Sequence, residues 1–175
     1  MADDRKLWNR IENGDADGFD SWYRETAPHV RVFLRHLLGD EQAVEDVMQE
    51  TFTQIWHHPH RFNPELGSPR AYLFGAARRQ AADWKRKHKG SDELGSDPPV
   101  VNHLEIGSMV SEALSHLTPD HQTLLWLREV EGQSYEELAM ILDLPLGTVR
   151  SRLFAAREAL RTVWHVARQH SGGRP

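Results

Sequence analysis

The chain has 175 residues, enough for one ordinary domain or two small ones, and its 39% hydrophobic and 27% charged residues are the balance of a folded protein rather than a disordered one. It has no cysteine, which excludes disulfides and thiolate metal sites, no apolar run of about eighteen residues to span a membrane, and a polar N-terminus, Met1 to Arg10, without a signal-peptide core. This is the pattern expected of a cytoplasmic protein. The formal net charge of -5 argues against a simple basic DNA binder, but acid and base are segregated along the chain and the total conceals two basic patches.

Leu7, Trp8 and Ile11 predict an N-terminal helix, and Phe19, Trp22 and Tyr23 a second, short one. Val30, Phe33, Leu34, Leu37 and Leu38 form a separate stripe, opened by Pro28 and closed near Gly39. From Asp40 to Glu50 the chain is acidic without Lys or Arg. There Val44, Val47, Met48, Phe52, Ile55 and Trp56 recur at three- and four-residue spacing, one apolar stripe of a long helix. Asp46, Gln49, Glu50 and Thr53 fall opposite it.

Between Arg70 and Lys89 the balance reverses, with Arg70, Arg78, Arg79, Lys85, Arg86, Lys87 and Lys89 against the single acid Asp83. Tyr72, Leu73, Ala76, Ala77, Ala81 and Trp84 carry helical periodicity through this stretch, and Tyr72 and Trp84 read as core. Gly90 to Asn102 (GSDELGSDPPVVN) lacks periodicity and is rich in Gly, Ser, Asp and Pro, the composition of a linker. No segment alternates at period two, so the expected fold is all-α, with two helical domains at residues 1–89 and 106–170 joined by a flexible linker at 90–105.

In the second domain, Thr118-Pro119 is an N-cap followed by proline in the first turn, and Glu131-Gly132 ends that helix. Ser134-Tyr-Glu-Glu137 matches a capping box and opens a helix bearing Leu138, Ala139, Ile141 and Leu142. Asp143-Leu144-Pro145 is a short break before a last helix from about Leu146 to Trp164. A small residue at Ala139, a tight turn and an apolar anchor at Val149 are the layout of a helix-turn-helix. Its second helix carries Thr148, Arg150, Ser151, Arg152 and Arg157, types that read guanine edges and phosphates. Taken alone, the same pattern also suits a helical hairpin with a solvated basic face.

The block Tyr135 to Arg161, and within it GTVRSRLFAARE, resembles the fourth region of extracytoplasmic-function (ECF) sigma factors of the sigma-70 family. AVEDVMQETFTQIW (Ala43 to Trp56) and RAYLFGAARRQAADWKRK (Arg70 to Lys87) independently resemble the same family's second region. The resemblance implies a bacterial transcription initiation factor that binds core RNA polymerase and promoter DNA and directs promoter recognition and melting. It implies core-polymerase contacts at Asp46, Gln49, Glu50 and Thr53, and minus-ten DNA contacts at Arg78, Arg79, Lys85, Arg86 and Lys87. A loop at about Arg61 to Arg70 would capture an unpaired base, with Phe62 as a stacking candidate. Minus-thirty-five contacts are implied at Thr148, Arg150, Ser151, Arg152, Phe154 and Arg157, and an anti-sigma protein is an expected partner. Two positions depart from the family: Arg79 stands where many members have asparagine, and Ala155 where many have a basic residue.

Asn13 to Gly18 resembles the start of a calcium loop, but the twelfth position is Arg24 where a bidentate glutamate is needed, so a turn and helix cap is the better reading. His57, His58 and His60 end a helix with no partner motif, and no metal or cofactor is expected. No phosphate-binding glycine loop and no nucleophile-base pair marks an enzyme. A stand-alone helix-turn-helix regulator would explain residues 118 to 161 and leave the acidic helix and the basic stretch without a role.

Overall fold

The computed structural model describes residues 2–88 and 114–171, and all of the regular structure in them is helical. The predicted linker, residues 90–105, and the domain boundaries at its ends lie outside the described residues. Helices α1 (Ala2–Glu12), α2 (Ala16–Leu38), α3 (Glu41–His57) and α4 (Pro69–His88) form the N-terminal half, with a 3-10 turn at Pro59–Arg61. The C-terminal half holds α5 (Pro119–Leu125), which widens into a π turn over Trp126–Val130, then α6 (Tyr135–Leu142) and α7 (Leu146–Ser171). Among the described residues no helix is long and apolar enough to cross a membrane.

The stretch resembling a calcium loop is a turn and a cap. Gly14 adopts φ +76°, and the Asp15 carboxylate accepts the Gly18 N–H at 3.0 Å and the Arg10 Nε–H at 2.6 Å. The two helices predicted on either side of Pro28 are a single helix, α2. Proline removes the N–H that would bond the Arg24 carbonyl, a local cost of roughly 3 kcal/mol. Against it, one face running through Pro28 buries Trp22, Ala27, Val30, Phe33 and Leu34 together, and each large apolar side chain on it contributes about 1.5–3 kcal/mol on burial. Tertiary burial outweighs the local rule.

Asp40 caps α3 through the Ala43 N–H at 2.7 Å, and the predicted stripe Val44, Val47, Met48, Phe52 and Ile55 is buried. The N-terminal core centres on aromatic edges: Trp8 meets Trp22 at 5.2 Å between ring centroids, Phe62 at 5.0 Å and Tyr72 at 5.8 Å.

In the C-terminal half the capping box is complete. The Glu137 N–H donates to Ser134 Oγ at 3.0 Å and the Ser134 N–H donates to Glu137 Oε2 at 2.9 Å. Asp143, left-handed at φ 52°, ends α6. Val149, Leu153 and Ala156 of α7 are fully buried.

The halves pack on each other. Trp126, 7% exposed, stacks over Phe33 at 6.5 Å and meets Phe74 edge-on at 5.7 Å. The Glu131 carboxylate, with no exposed surface, accepts from Arg70 Nη1 at 3.2 Å and lies 2.6 Å from His29 Nδ1. Arg70 also reaches Glu25 at 2.9 Å and Asp4 at 3.8 Å. Across the α4–α6 crossing, the Ser68 N–H donates to Glu137 Oε1 at 3.0 Å. A Cβ at Gly75 would stand 4.0 Å from the Ile141 Cα, so the two helix backbones run close.

The hydrogen bond to Glu131 raises the His29 pKa above its ordinary 6.5, against an opposing effect of burial; Glu25 adds to the rise and Arg70 opposes it. Protonated His29 therefore favours the packed arrangement. Its contribution is complete below 6.5 and is lost as pH rises through the raised value. The thermal midpoint of the full chain should fall between about pH 6 and pH 9 with a component that His29→Gln removes. An unchanged pH profile in the variant would show that this pair does not couple the halves.

Candidate nucleic-acid and partner interfaces

Burial of the Val44–Ile55 stripe turns the opposite side of α3 to solvent, and Asp46, Gln49, Glu50 and Thr53 are all exposed there. The remaining acids of this helix are partnered: Arg31 pairs with Glu45 and, at 3.4 Å, with Glu41, which also pairs with Arg35. Asp46 and Glu50 instead accept only from the carboxamides of Gln42 (3.1 Å) and Gln54 (2.9 Å), and neither is in an ion pair among the described residues. Their charge is left for something else to neutralise. Beside them an open groove of about 390 Å³ runs between α2 and α3, floored by Phe19, Tyr23, Met48, Phe52 and Trp56, with Gln49 and Thr53 on its wall. The α2 rings belong to this face, although the sequence pattern marks them only as apolar positions of a short helix. Tyr23 lies four residues beyond Phe19, on the same helix face, and is 39% exposed.

On α4, Arg79, Lys85, Arg86 and Lys87 are exposed and Arg78 is half-buried. Asp83 neutralises Arg86, one turn away. Arg79 reaches a second feature, a polar cavity of about 260 Å³ that it lines with Arg61, Gln54, Gln80 and Tyr72. Burial pushes the Tyr72 phenol up, while the guanidinium charges of Arg79 and Arg61 pull the other way. Two guanidinium groups, two carboxamides and one ring are the set that hydrogen-bonds and stacks on a nucleobase.

Phe62 is placed elsewhere. It is 9% exposed, edge-on to Trp8 and 5.7 Å from Tyr72, so its ring is part of the core and has no open face for a base to stack on. Its loop is held by the Arg5 guanidinium, which donates to the Pro64 carbonyl at 3.1 Å. The sequence shows a lone aromatic in a loop and cannot show that Trp8, far away in the chain, packs against it.

On α7 the buried Val149, Leu153 and Ala156 set the rotation that exposes Arg150, Ser151, Arg152, Phe154 and Arg157, with Thr148 half-buried. Arg150 and Arg152 are two residues and about 200° apart, so they cannot converge on one base edge. Phe154 is 69% exposed, an apolar ring open to solvent among the described residues. Arg157 is engaged: its Nη2 and Nε donate to Glu129 at 2.6 and 3.1 Å, and its Nη1 reaches the Tyr135 hydroxyl at 3.4 Å. A phosphate contact from Arg157 would have to exchange or share the Glu129 carboxylate.

Comparison with known proteins gives two family matches: Sigma-70 region 2 over residues 22–90 and Sigma-70, region 4 over residues 108–160. The chain is 31% identical to the ECF RNA polymerase sigma factor SigL of Mycobacterium tuberculosis, over 79% of this chain and 84% of that protein. It is 30% identical to the ECF RNA polymerase sigma-E factor of Haemophilus influenzae, over 90% and 93%. Among solved structures, CnrH in complex with the cytosolic domain of CnrY covers 94% of this chain and 98% of that one, at TM-score 0.64 and 24% identity. The sigma factor RpoE with the anti-sigma factor NepR from Bartonella quintana covers 85% and 97%, at TM-score 0.59 and 24% identity.

The core position of Phe62 is testable by stability alone. Phe62→Ala should destabilise the protein by about 3–5 kcal/mol, as loss of a buried ring does. Chemical denaturation measures it, and a change below about 0.5 kcal/mol would mean a surface ring.

Proposed function

The chain belongs to the ECF RNA polymerase sigma factors of the sigma-70 family, proteins that bind core RNA polymerase and promoter DNA, and we propose how its faces divide that work. The observation that carries the division is electrostatic: one chain combines an acidic helix face without cationic partners among the described residues and two basic helices on separate halves. A stand-alone regulator needs only the second. The exposed Asp46, Gln49, Glu50 and Thr53, with the groove beside them, meet core polymerase. A groove with an apolar floor and a charged rim suits a helical partner that brings its own basic residues.

Arg78, Arg79, Lys85, Arg86 and Lys87 of α4 meet the minus-ten element, through phosphate contacts that weaken with salt. The cavity lined by Arg61, Tyr72 and Arg79, rather than Phe62, receives an unstacked base. Unstacking costs a few kcal/mol, which polymerase binding and the second promoter contact offset. Thr148, Arg150, Ser151, Arg152, Phe154 and Arg157 of α7 meet the minus-thirty-five element, with Arg150 as base reader. The Phe154 ring can pack on a thymine methyl. A solved relative is bound to an anti-sigma factor, and a protein of that kind is the expected inhibitory partner here. The chain works in the cytoplasm, where polymerase and DNA are.

Run-off transcription with bacterial core polymerase tests the reading as a whole: added protein should confer promoter-dependent initiation, and a chain that acts without polymerase would not. Reversing charge in Asp46→Lys/Glu50→Lys should abolish co-purification with core enzyme and leave helical content intact; retained binding removes that face. Arg150→Ala should cost about 1–3 kcal/mol in promoter binding and relax preference at one minus-thirty-five position. Uniform weakening across sequences, with a salt slope flatter by about one, would instead make Arg150 a phosphate contact.

A further inference from the structure

This inference rests on the proposed capture of an unstacked base in the cavity beside α4, and it concerns the three histidines that follow α3. A cavity of about 260 Å³ takes a base, so the sugar and phosphate of that nucleotide stay at its rim. Arg61, on the cavity wall, closes the tight turn Pro59–Arg61, and His57, His58 and His60 stand on the same few residues. The His58 ring lies 6.4 Å from that of His57 and 6.1 Å from that of His60, between centroids. His57 also lines the groove between α2 and α3, so this turn joins the face proposed for polymerase to the cavity proposed for the base.

The charge of the turn is one-sided. Many guanidinium groups of this chain pair with a carboxylate, as Arg10, Arg31, Arg70 and Arg157 do. Arg61 and the three histidines are in no ion pair among the described residues. Helices α1 and α3 pack on the turn, and α4 faces it across the cavity. Their nearby acids are engaged elsewhere: Asp4 reaches Arg70, Glu12 accepts from Trp8, and Glu50 accepts from Gln54. Arg5, Tyr72 and Arg79 bring no negative charge at neutral pH. Among the described residues no group of three His, Cys, Asp or Glu side chains could hold a metal ion, which leaves an anion as the complement.

The turn is also held in place before any ligand arrives. Pro59 restricts its backbone, the Arg61 N–H donates to the His58 carbonyl at 3.1 Å, and the Phe62 N–H donates to the Pro59 carbonyl at 3.2 Å. The next ring, Phe62, is sealed in the core against Trp8. A site fixed in this way loses little freedom when an anion binds.

We propose that the turn His57–Arg61 is a phosphate-binding site that grips the backbone of the melted strand beside the captured base, with its imidazoles binding in the protonated form.

In the free chain, burial and then the charges of Arg61, His60 and His57 hold the His58 pKa below its ordinary 6.5. A phosphate among these groups reverses the local field, and protonation becomes favourable. Binding therefore takes up protons: the added affinity is complete below the free value and is lost as pH rises through the bound one.

The test is binding of a labelled promoter fork, single-stranded over the minus-ten non-template strand, to the full chain assembled with core polymerase. A one-unit rise in a histidine pKa is worth up to about tenfold in affinity, so binding should tighten about tenfold from about pH 8 to about pH 6. His58→Gln/His60→Gln should cut that gain to under about twofold and flatten the salt slope near pH 6 by about one. Neither side chain is buried, so the variant should keep its fold. His60→Lys, which fixes a cation on the turn, should tighten binding near about pH 8 and weaken the pH dependence. A double variant with the pH profile of the unaltered chain, or a His60→Lys chain that binds no better at the alkaline end, overturns the proposal. Added deoxynucleoside monophosphate separates the two sources of phosphate: the fork should outcompete it, and full displacement at millimolar concentration would make the turn a free-nucleotide site and overturn the strand assignment. An abasic substitution at each minus-ten position tests the cavity by itself. Loss at none of them sinks base capture, while the pH and salt effects of the histidine variants still decide the phosphate site.

Discussion

A carboxylate with no exposed surface is tolerated only where cations and donors replace its water, and Glu131 obtains both from the opposite half of the molecule. This dependence sets the relation between the halves. Arg70 is drawn into a network with Asp4, Glu25 and Glu131 rather than facing solvent with the other basic residues of α4. His29 is raised in pKa, and Trp126 is brought against the touching pair Phe33 and Phe74. Removing one partner from such a group strands a buried charge, at roughly 3–5 kcal/mol.

The same bookkeeping of charge explains how a chain with net charge -5 can serve DNA. Acids that pair locally, such as Glu41 and Glu45 with Arg31 and Arg35, hold helices together and contribute little outward field. Asp46 and Glu50 on α3, and Lys85, Lys87, Arg150 and Arg152 on α4 and α7, stand outside those pairs. Function is read from what remains after local neutralisation, not from the total. Arg157 shows the distinction on a single helix. It is basic and exposed in the right region, yet Glu129 holds it against the π turn that follows α5.

Apart from the continuity of α2, the helices, the capping box at Ser134 and Glu137, the stripe of α3 and the anchors Val149 and Leu153 were legible in the sequence, because each depends on neighbours within a few turns. So were the family and the order of its two regions, carried by GTVRSRLFAARE and by the Ala43–Trp56 and Arg70–Lys87 blocks. The exposure of Asp46, Gln49, Glu50 and Thr53 follows from the same periodicity: where one stripe is buried, the other faces out.

What tertiary structure alone decided involves groups distant in the chain. Pro28 reads locally as a helix boundary, and only a shared buried face carries α2 through it. Phe62 reads as a loop aromatic, and only Trp8, brought to it from α1, makes it core. Tyr72, Arg79 and Arg61 share a cavity because the turn after α3 folds back beside α4. The contacts between the two predicted halves, such as His29 to Glu131, join residues about a hundred positions apart and could not be read from either half alone. Periodicity and capping report interactions within a helical turn or two. Burial of a charge, a ring or a proline is settled by whatever the folded chain brings against it.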